Sequence, residues 1–186
     1  MKKHLMPGDM LPDGDVVLLD GSRTRLGRLL EGREAMLYFM RDSACVLCLH
    51  ELAKLQAALG SFCQRNILPI ACVSSTPEAA RANLGNRCSF PVICDAAGGL
   101  YSAFGAEPAH DKEAMEGPHT LERIEAAKNA GMVHGEDSGN PLQLPAVFGV
   151  DGKGRLRFSY YAATAEDIPE PESLLSRFGN EWSSIF

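Results

Sequence analysis

Two cysteines separated by two residues, Cys45-Val-Leu-Cys48, are the side chains of this sequence best suited to chemistry. They follow a short apolar run, Ala35 to Met40, and open a stretch with helical spacing. At the start of a helix, residues three apart lie on one side, so two thiols come close enough to form a disulfide with little backbone movement. The unpaired N–H groups and the positive end of the helix dipole favour a thiolate there, and Arg41 adds a nearby positive charge. That setting predicts a thiol pKa in the depressed range of roughly 3.5 to 7.5. Strand, Cys-x-x-Cys turn and helix together point to dithiol/disulfide redox chemistry. Arg41 also has a plainer reading, as a solvated loop charge.

Other uses of the pair fit less well. A structural zinc site takes four ligands, and the chain has one Cys-x-x-Cys, with His50 close by and no second spaced pair. Haem attachment needs a histidine directly after the second cysteine, where this sequence has Leu49. His50 and Glu51 read as first-turn helix residues, and His4, His110, His119 and His134 are scattered without metal spacing. Cys72 and Cys94 sit within apolar runs and read as packing, as does Cys63 beside a helical apolar stripe. Cys88, in a Gly-Asn-Arg loop, is the one candidate for an outside resolving thiol, because reactive cysteines need exposure.

The elements that must position the pair follow from periodicity. Val16 to Leu19, with a turn at Asp20-Gly21, reads as a small β element, followed by a short helix at Leu26 to Leu30. Ala35 to Met40 and Ile67 to Val73 read as buried strands, and Phe90 to Cys94 as a third. One helix is predicted from Cys45 to about Gln64, with Cys48, Leu52, Leu55, Leu59 and Phe62 on its apolar stripe. Ser74-Ser-Thr-Pro-Glu78 carries the signals of a helix start and leads into a helix to Leu84. Another short helix is predicted at Leu100 to Phe104. Residues 106–144, rich in Gly, Pro and acidic side chains, read as an insertion with one helix between Thr120 and Ala130, placed to cover the site. Pro145 to Asp151 and Arg155 to Tyr161 flank Asp-Gly-Lys-Gly, a hairpin signature, and a helix from Pro171 to Phe178 ends the pattern. This alternation predicts an α/β fold, a three-layer α/β/α sandwich around a central mixed sheet, within one domain over 1–186.

Composition narrows the function. With 186 residues, 45% hydrophobic and 23% charged, the chain can bury a real core. Its 18 basic and 24 acidic residues give a net charge of −6, which argues against nucleic acid or an anionic membrane surface as partner. Six cysteines are too few for a disulfide scaffold of this size. The N-terminal stretch places Pro7, Asp9, Pro12, Asp13 and Asp15 where an export signal needs apolar residues, and no run approaches the ~20 residues of a membrane helix. A cytoplasmic location is expected, and there a reducing milieu makes a cysteine pair a working redox group more often than a staple.

Three strings carry a family resemblance: Tyr38-Phe-Met-Arg-Asp-Ser-Ala-Cys-Val-Leu-Cys-Leu-His-Glu-Leu52, Leu144-Pro-Ala-Val-Phe-Gly-Val-Asp-Gly152 and Arg157-Phe-Ser-Tyr-Tyr-Ala-Ala-Thr-Ala-Glu-Asp167. With Phe90-Pro-Val-Ile-Cys-Asp95 and Tyr101-Ser-Ala-Phe-Gly105, they resemble the peroxiredoxin-like group of the thioredoxin-fold superfamily, the alkyl hydroperoxide reductase and thiol-specific antioxidant family. The resemblance covers nearly the whole chain. It implies a thioredoxin fold with an N-terminal β extension and an insertion before the last hairpin. It also implies an enzyme that takes electrons from an external thioredoxin-like or glutathione-like thiol donor, with no metal, flavin or other cofactor of its own. Members of the group often pair as homodimers.

Two mechanisms are compatible with the resemblance. Matching Cys48 and Glu51 to the peroxidatic pattern Pro-x-x-x-Thr-x-x-Cys puts Arg41 at the proline and Cys45 at the threonine, and makes Cys48 the residue that attacks peroxide. The thioredoxin match instead makes Cys45 the nucleophile on a disulfide substrate, Cys48 the resolving thiol, and Pro145 the cis-proline that faces the motif. Either order ends in a Cys45–Cys48 disulfide. Peroxide reduction is the leading reading, with a protein disulfide reductase as first alternative. A redox sensor or zinc-binding adaptor is the alternative of another class.

Overall fold

The computed structural model describes residues 4–178. The two ends of the domain expected over 1–186, residues 1–3 and 179–186, lie outside that span. A five-stranded sheet has the order β5-β4-β3-β6-β7, formed by β3 (Glu34–Met40), β4 (Ile67–Val73), β5 (Val92–Cys94), β6 (Ala146–Val150) and β7 (Leu156–Tyr161). β3, β4 and β5 are parallel, and β6 and β7 run antiparallel to their neighbours, so the sheet is mixed, as expected. A separate ribbon pairs β1 (Asp15–Val17) with β2 (Arg23–Arg25).

The central strand shows why the run from Ala35 to Met40 is apolar throughout. Met36, Tyr38 and Met40 enter one core, while Ala35, Leu37 and Phe39 enter the other. A strand buried on both faces has no polar face to alternate with. Leu52, Leu55, Phe62, Leu84 and Leu174 cover the first face, from α2 (Val46–Ala57), α3 (Leu59–Gln64), α4 (Pro77–Leu84) and α7 (Pro171–Phe178). The second face is covered by Leu26 and Leu30 of α1 (Leu26–Leu30) and by Leu100 and Tyr101 of α5 (Gly99–Ala103), with Phe104 just beyond. Three layers result.

Two expectations need correction. The predicted continuous helix from Cys45 to Gln64 is broken at Ala58, whose ψ of −3° closes α2 and opens α3. Gly60 follows in the next turn and does not favour unbroken helix, while the bend still leaves Phe62 fully buried. Pro145 is trans, since no cis peptide bond occurs among the described residues. It stands immediately before β6, where a strand needs no donor, and its carbonyl accepts from the Ala162 N–H at 3.0 Å. An ordinary strand start therefore accounts for this proline.

The insertion is rooted by a narrow neck. Pro108 bridges to Gln143, the Ala109 N–H donates to the Leu142 carbonyl at 2.8 Å, and the Gln143 amide donates to the Ala106 carbonyl at 3.0 Å. Between these ends lie a 3₁₀ turn (Glu113–Met115) and α6 (Thr120–Asn129), and α6 packs along α2. No helix among the described residues is long and apolar enough to cross a membrane.

Candidate active site

The loop from Arg41 to Cys45 joins the C-terminal end of β3 to the first turn of α2, and a buried carboxylate shapes it. Asp42 Oδ1 accepts from the Ala44 N–H at 2.7 Å, a local turn that the Asp side chain favours. The same oxygen accepts from the Ser75 hydroxyl at 3.3 Å, and Ser75 Oγ accepts from the Ser43 N–H at 3.0 Å. Ser74 Oγ donates to the Arg41 carbonyl at 2.6 Å. The Ser-Ser step after β4 thus holds the cysteine loop from the side, which gives Ser74 and Ser75 a task beyond leading into α4.

The insertion closes over this loop. Asp42 Oδ2 accepts from the Gly139 N–H at 2.8 Å, and the Gly135 N–H donates to the Ala44 carbonyl at 3.1 Å. The Asn83 amide donates to Ser43 Oγ at 3.0 Å and to the Glu136 carbonyl at 3.1 Å, and its oxygen accepts from the Glu136 N–H at 3.1 Å. Arg123 of α6 lies 3.8 Å from Glu51 of α2, whose carboxylate also pairs with Lys54 at 3.0 Å. Burial raises the pKa of Glu51, with the two cations opposing it.

Within this frame the cysteines are unequal. Both are buried and reduced, Cys45 as the N-cap residue of α2 and Cys48 one turn on. A hydrogen bond between the Cys45 and Cys48 side chains, against the cost of burial, pulls the Cys45 pKa down to about 6. The positive charge of Arg41 and the N–H groups of Cys48 and Leu47 add to it. Cys48 is pushed far the other way, first by its bond to Cys45, then by complete burial and by the charge on Cys45. Arg41 stays charged although burial opposes it, because the sulfurs of Cys45 and Cys48 outweigh that cost. Its guanidinium makes a side-chain hydrogen bond to Cys45, while its Nε is buried without a hydrogen-bond partner among the described residues.

A cavity of about 330 Å³ opens onto Cys45 and Arg41. Val46 and Leu47 line it from α2, while Met115, Thr120 and Ile124 come from the insertion. Cys48 does not line it. Of the residues singled out in the sequence, the structure brings Arg41, Cys45 and Cys48 together, and Pro145 lies outside the cavity lining.

The remaining cysteines only partly follow expectation. Cys72 and Cys94 are buried, as predicted. Cys63, expected as packing, is the exposed one, because the break at Ala58 changes the rotation of the following turn. Cys88, expected in an open loop, packs against the core and its thiol is pushed up to about 11 by burial. Sequence reasoning also missed Asp42, Ser75, Asn83 and Gly139. Only Asp42 carried a local signal, an aspartate just before a helix N-cap, a residue type that accepts from the N–H two residues on. Among the described residues no group of three or more His, Cys, Asp or Glu side chains is arranged to hold a metal ion.

Comparison with known proteins places this arrangement in a family. No curated protein matches the sequence. Solved structures match its fold at low identity. Peroxidoxin BcpB from Mycobacterium tuberculosis is 15% identical with a TM-score of 0.70, over 96% of this chain and 100% of that one. PrxQ from Xylella fastidiosa is 15% identical with a TM-score of 0.68, over 95% and 97%. The mitochondrial 1-Cys peroxiredoxin of yeast is 14% identical with a TM-score of 0.67, over 94% and 74%. The profile of the AhpC/TSA family matches residues 7–159, most of the sequence, and the chain belongs to that family of thiol-dependent, peroxide-reducing oxidoreductases.

Proposed function

We propose that the enzyme reduces peroxides with Cys45 as the attacking thiolate and Cys48 as the resolving thiol. The observation that carries this order is access: Cys45 lines the cavity beside Arg41 and Cys48 does not, and the bond between the two side chains lowers the pKa of Cys45 while raising that of Cys48. Attack by the Cys45 thiolate on one peroxide oxygen breaks the O–O bond, giving a Cys45 sulfenic acid and an alkoxide or hydroxide that takes a proton to leave as alcohol or water. The Arg41 guanidinium, which lines the cavity with Cys45, stabilises the negative charge that develops on the leaving oxygen. The Cys48 thiol then condenses with the sulfenic acid, releasing water and forming the Cys45–Cys48 disulfide. An external dithiol, or two monothiols, reduces that bond by exchange and is itself oxidised.

Access favours a peroxide over a protein disulfide as substrate. Cys45 is only 3% exposed and sits at the floor of a cavity, which a small peroxide enters and a folded protein does not. The cycle requires a compartment that keeps thiols reduced, in keeping with a cytoplasmic site of action. The test is peroxide consumption by the full chain with a thioredoxin-type donor, beside reduction of a protein disulfide by the same donor. Peroxide-dependent turnover is expected. Turnover of the protein disulfide alone would overturn the reading.

A further inference from the structure

The cavity above Cys45 is much larger than the reaction requires. Its volume of about 330 Å³ compares with the ~30 Å³ that one water occupies in the liquid, and hydrogen peroxide is only slightly larger than water. Val46, Leu47, Met115, Ile124 and Ala165 make its walls apolar above the charged pair at the floor. Such walls give hydrogen peroxide nothing to bind and give an alkyl chain a surface to leave water for.

The rim has a different character. Lys112, from the segment before the 3₁₀ turn, and Lys128, from the last turn of α6, both reach the cavity, both are exposed, and neither forms an ion pair among the described residues. His134 also lies on the rim, paired with Asp137 at 3.1 Å, and Glu116 is the one acid there. Two unpaired lysines at the mouth of an apolar cavity stand out in a chain of net charge −6. Both come from the insertion, which lies outside the five-stranded sheet.

We infer that the insertion makes the enzyme selective for organic hydroperoxides that carry a carboxylate, with the chain against the apolar walls and the carboxylate held at the rim by Lys112 and Lys128. The inference rests on the peroxidase reading of Cys45 and specifies its substrate class. Binding of the distant carboxylate holds the peroxide near the Cys45 sulfur, so the preference is read in kcat/KM. Exposed charge pairs are individually weak, so the two lysines together give a preference of about five- to tenfold.

The test compares two alkyl hydroperoxides of equal length, one ending in a carboxylate and one in a methyl ester. The wild-type ratio of kcat/KM, acid over ester, is expected at about five to ten. In the K112Q/K128Q variant the ratio falls to about one, and in K112E/K128E it drops below one. Lys153→Gln is the control. Lys153 lies in the β6–β7 turn, beyond the strand end opposite the cysteine loop, and the ratio there stays at the wild-type value. A wild-type ratio near one, or a ratio that survives both lysine substitutions, overturns the inference.

A second measurement needs no peroxidase activity. The hydroxy acid corresponding to the acidic hydroperoxide should protect Cys45 saturably from alkylation in the wild-type protein, and much less in K112Q/K128Q. Protection without turnover of any peroxide would sink the peroxidase reading and leave the binding site standing. Turnover of both peroxides without protection or preference would sink the selectivity alone.

Discussion

Gly139 approaches Asp42 so closely that its N–H donates to the carboxylate at 2.8 Å and leaves no room for a side chain. A Cβ on Gly139 would stand 1.9 Å from the Ser74 carbonyl oxygen and 2.7 Å from Asp42 Oδ2. The first of these neighbours is backbone and cannot swing aside. Through this contact the insertion is latched onto the loop that carries Cys45, and the same carboxylate sets the turn at Ala44.

Gly139→Ala therefore has to lift the 134–140 segment off the cysteine loop. A loss of about 1–3 kcal/mol is expected from the forced shift and the broken bond to a buried carboxylate, read as a lowered urea midpoint. Alkylation of Cys45 should become faster in the same variant, because its cover is loosened. An unchanged midpoint together with unchanged alkylation would show that the latch does not exist in solution.

The ionisation of Cys45 sets a pH profile. Its alkylation rate, followed by mass spectrometry of the peptide, is expected to rise with a midpoint near 6 rather than near the ordinary 9.0. Cys48→Ala removes the largest cause of the shift, so the midpoint moves upward. The folded pKa is depressed, so the stability contributed by this thiolate is complete above the unfolded value near 9 and fades as pH falls through about 6. Alkylation of the wild-type protein with a midpoint near 9 would contradict the geometry.

Arg41 has two tasks that one substitution separates. Arg41→Met removes the positive charge beside Cys45, which raises the thiol pKa, and removes the guanidinium that faces the cavity. Peroxide reduction is expected to fall by about 10²-fold even at a pH where Cys45 is fully ionised, because loss of a transition-state donor typically costs that much. A rate fully restored by raising the pH would limit Arg41 to tuning the thiol.

Outside thiols are expected to take no part in this cycle. Cys88 is half-buried with its thiol pushed up to about 11, and Cys63 is exposed at the end of α3. Cys63→Ser and Cys88→Ser should each form the Cys45–Cys48 disulfide after one equivalent of peroxide, at the wild-type rate. Loss of that disulfide in Cys88→Ser would make Cys88 a resolving thiol after all.

The parts of the site legible in the sequence were those that depend on local spacing. Cys45 and Cys48 are three apart at a helix start, Arg41 is four residues away, and the runs that became β3 and β4 are apolar on both faces. Long-range partners left no such mark. Asn83 reaches Ser43 across forty residues and Gly139 reaches Asp42 across ninety-seven, and neither residue type is unusual where it stands. Pro145 misled because a proline before a strand has one sequence appearance whether it is an ordinary start or a cis turn. Cys63 and Cys88 misled because a single bend, at Ala58, and the packing of one loop decide which of them meets water.

The order of attack is tested most directly by the two single-cysteine variants, each treated with peroxide and a sulfenic-acid trap. Cys48→Ser is expected to carry the trapped adduct on Cys45, while Cys45→Ser carries none and no longer consumes peroxide. An adduct on Cys48 in the Cys45→Ser variant, with peroxide consumption retained, would contradict the assignment of Cys45 as the peroxide-reducing thiolate.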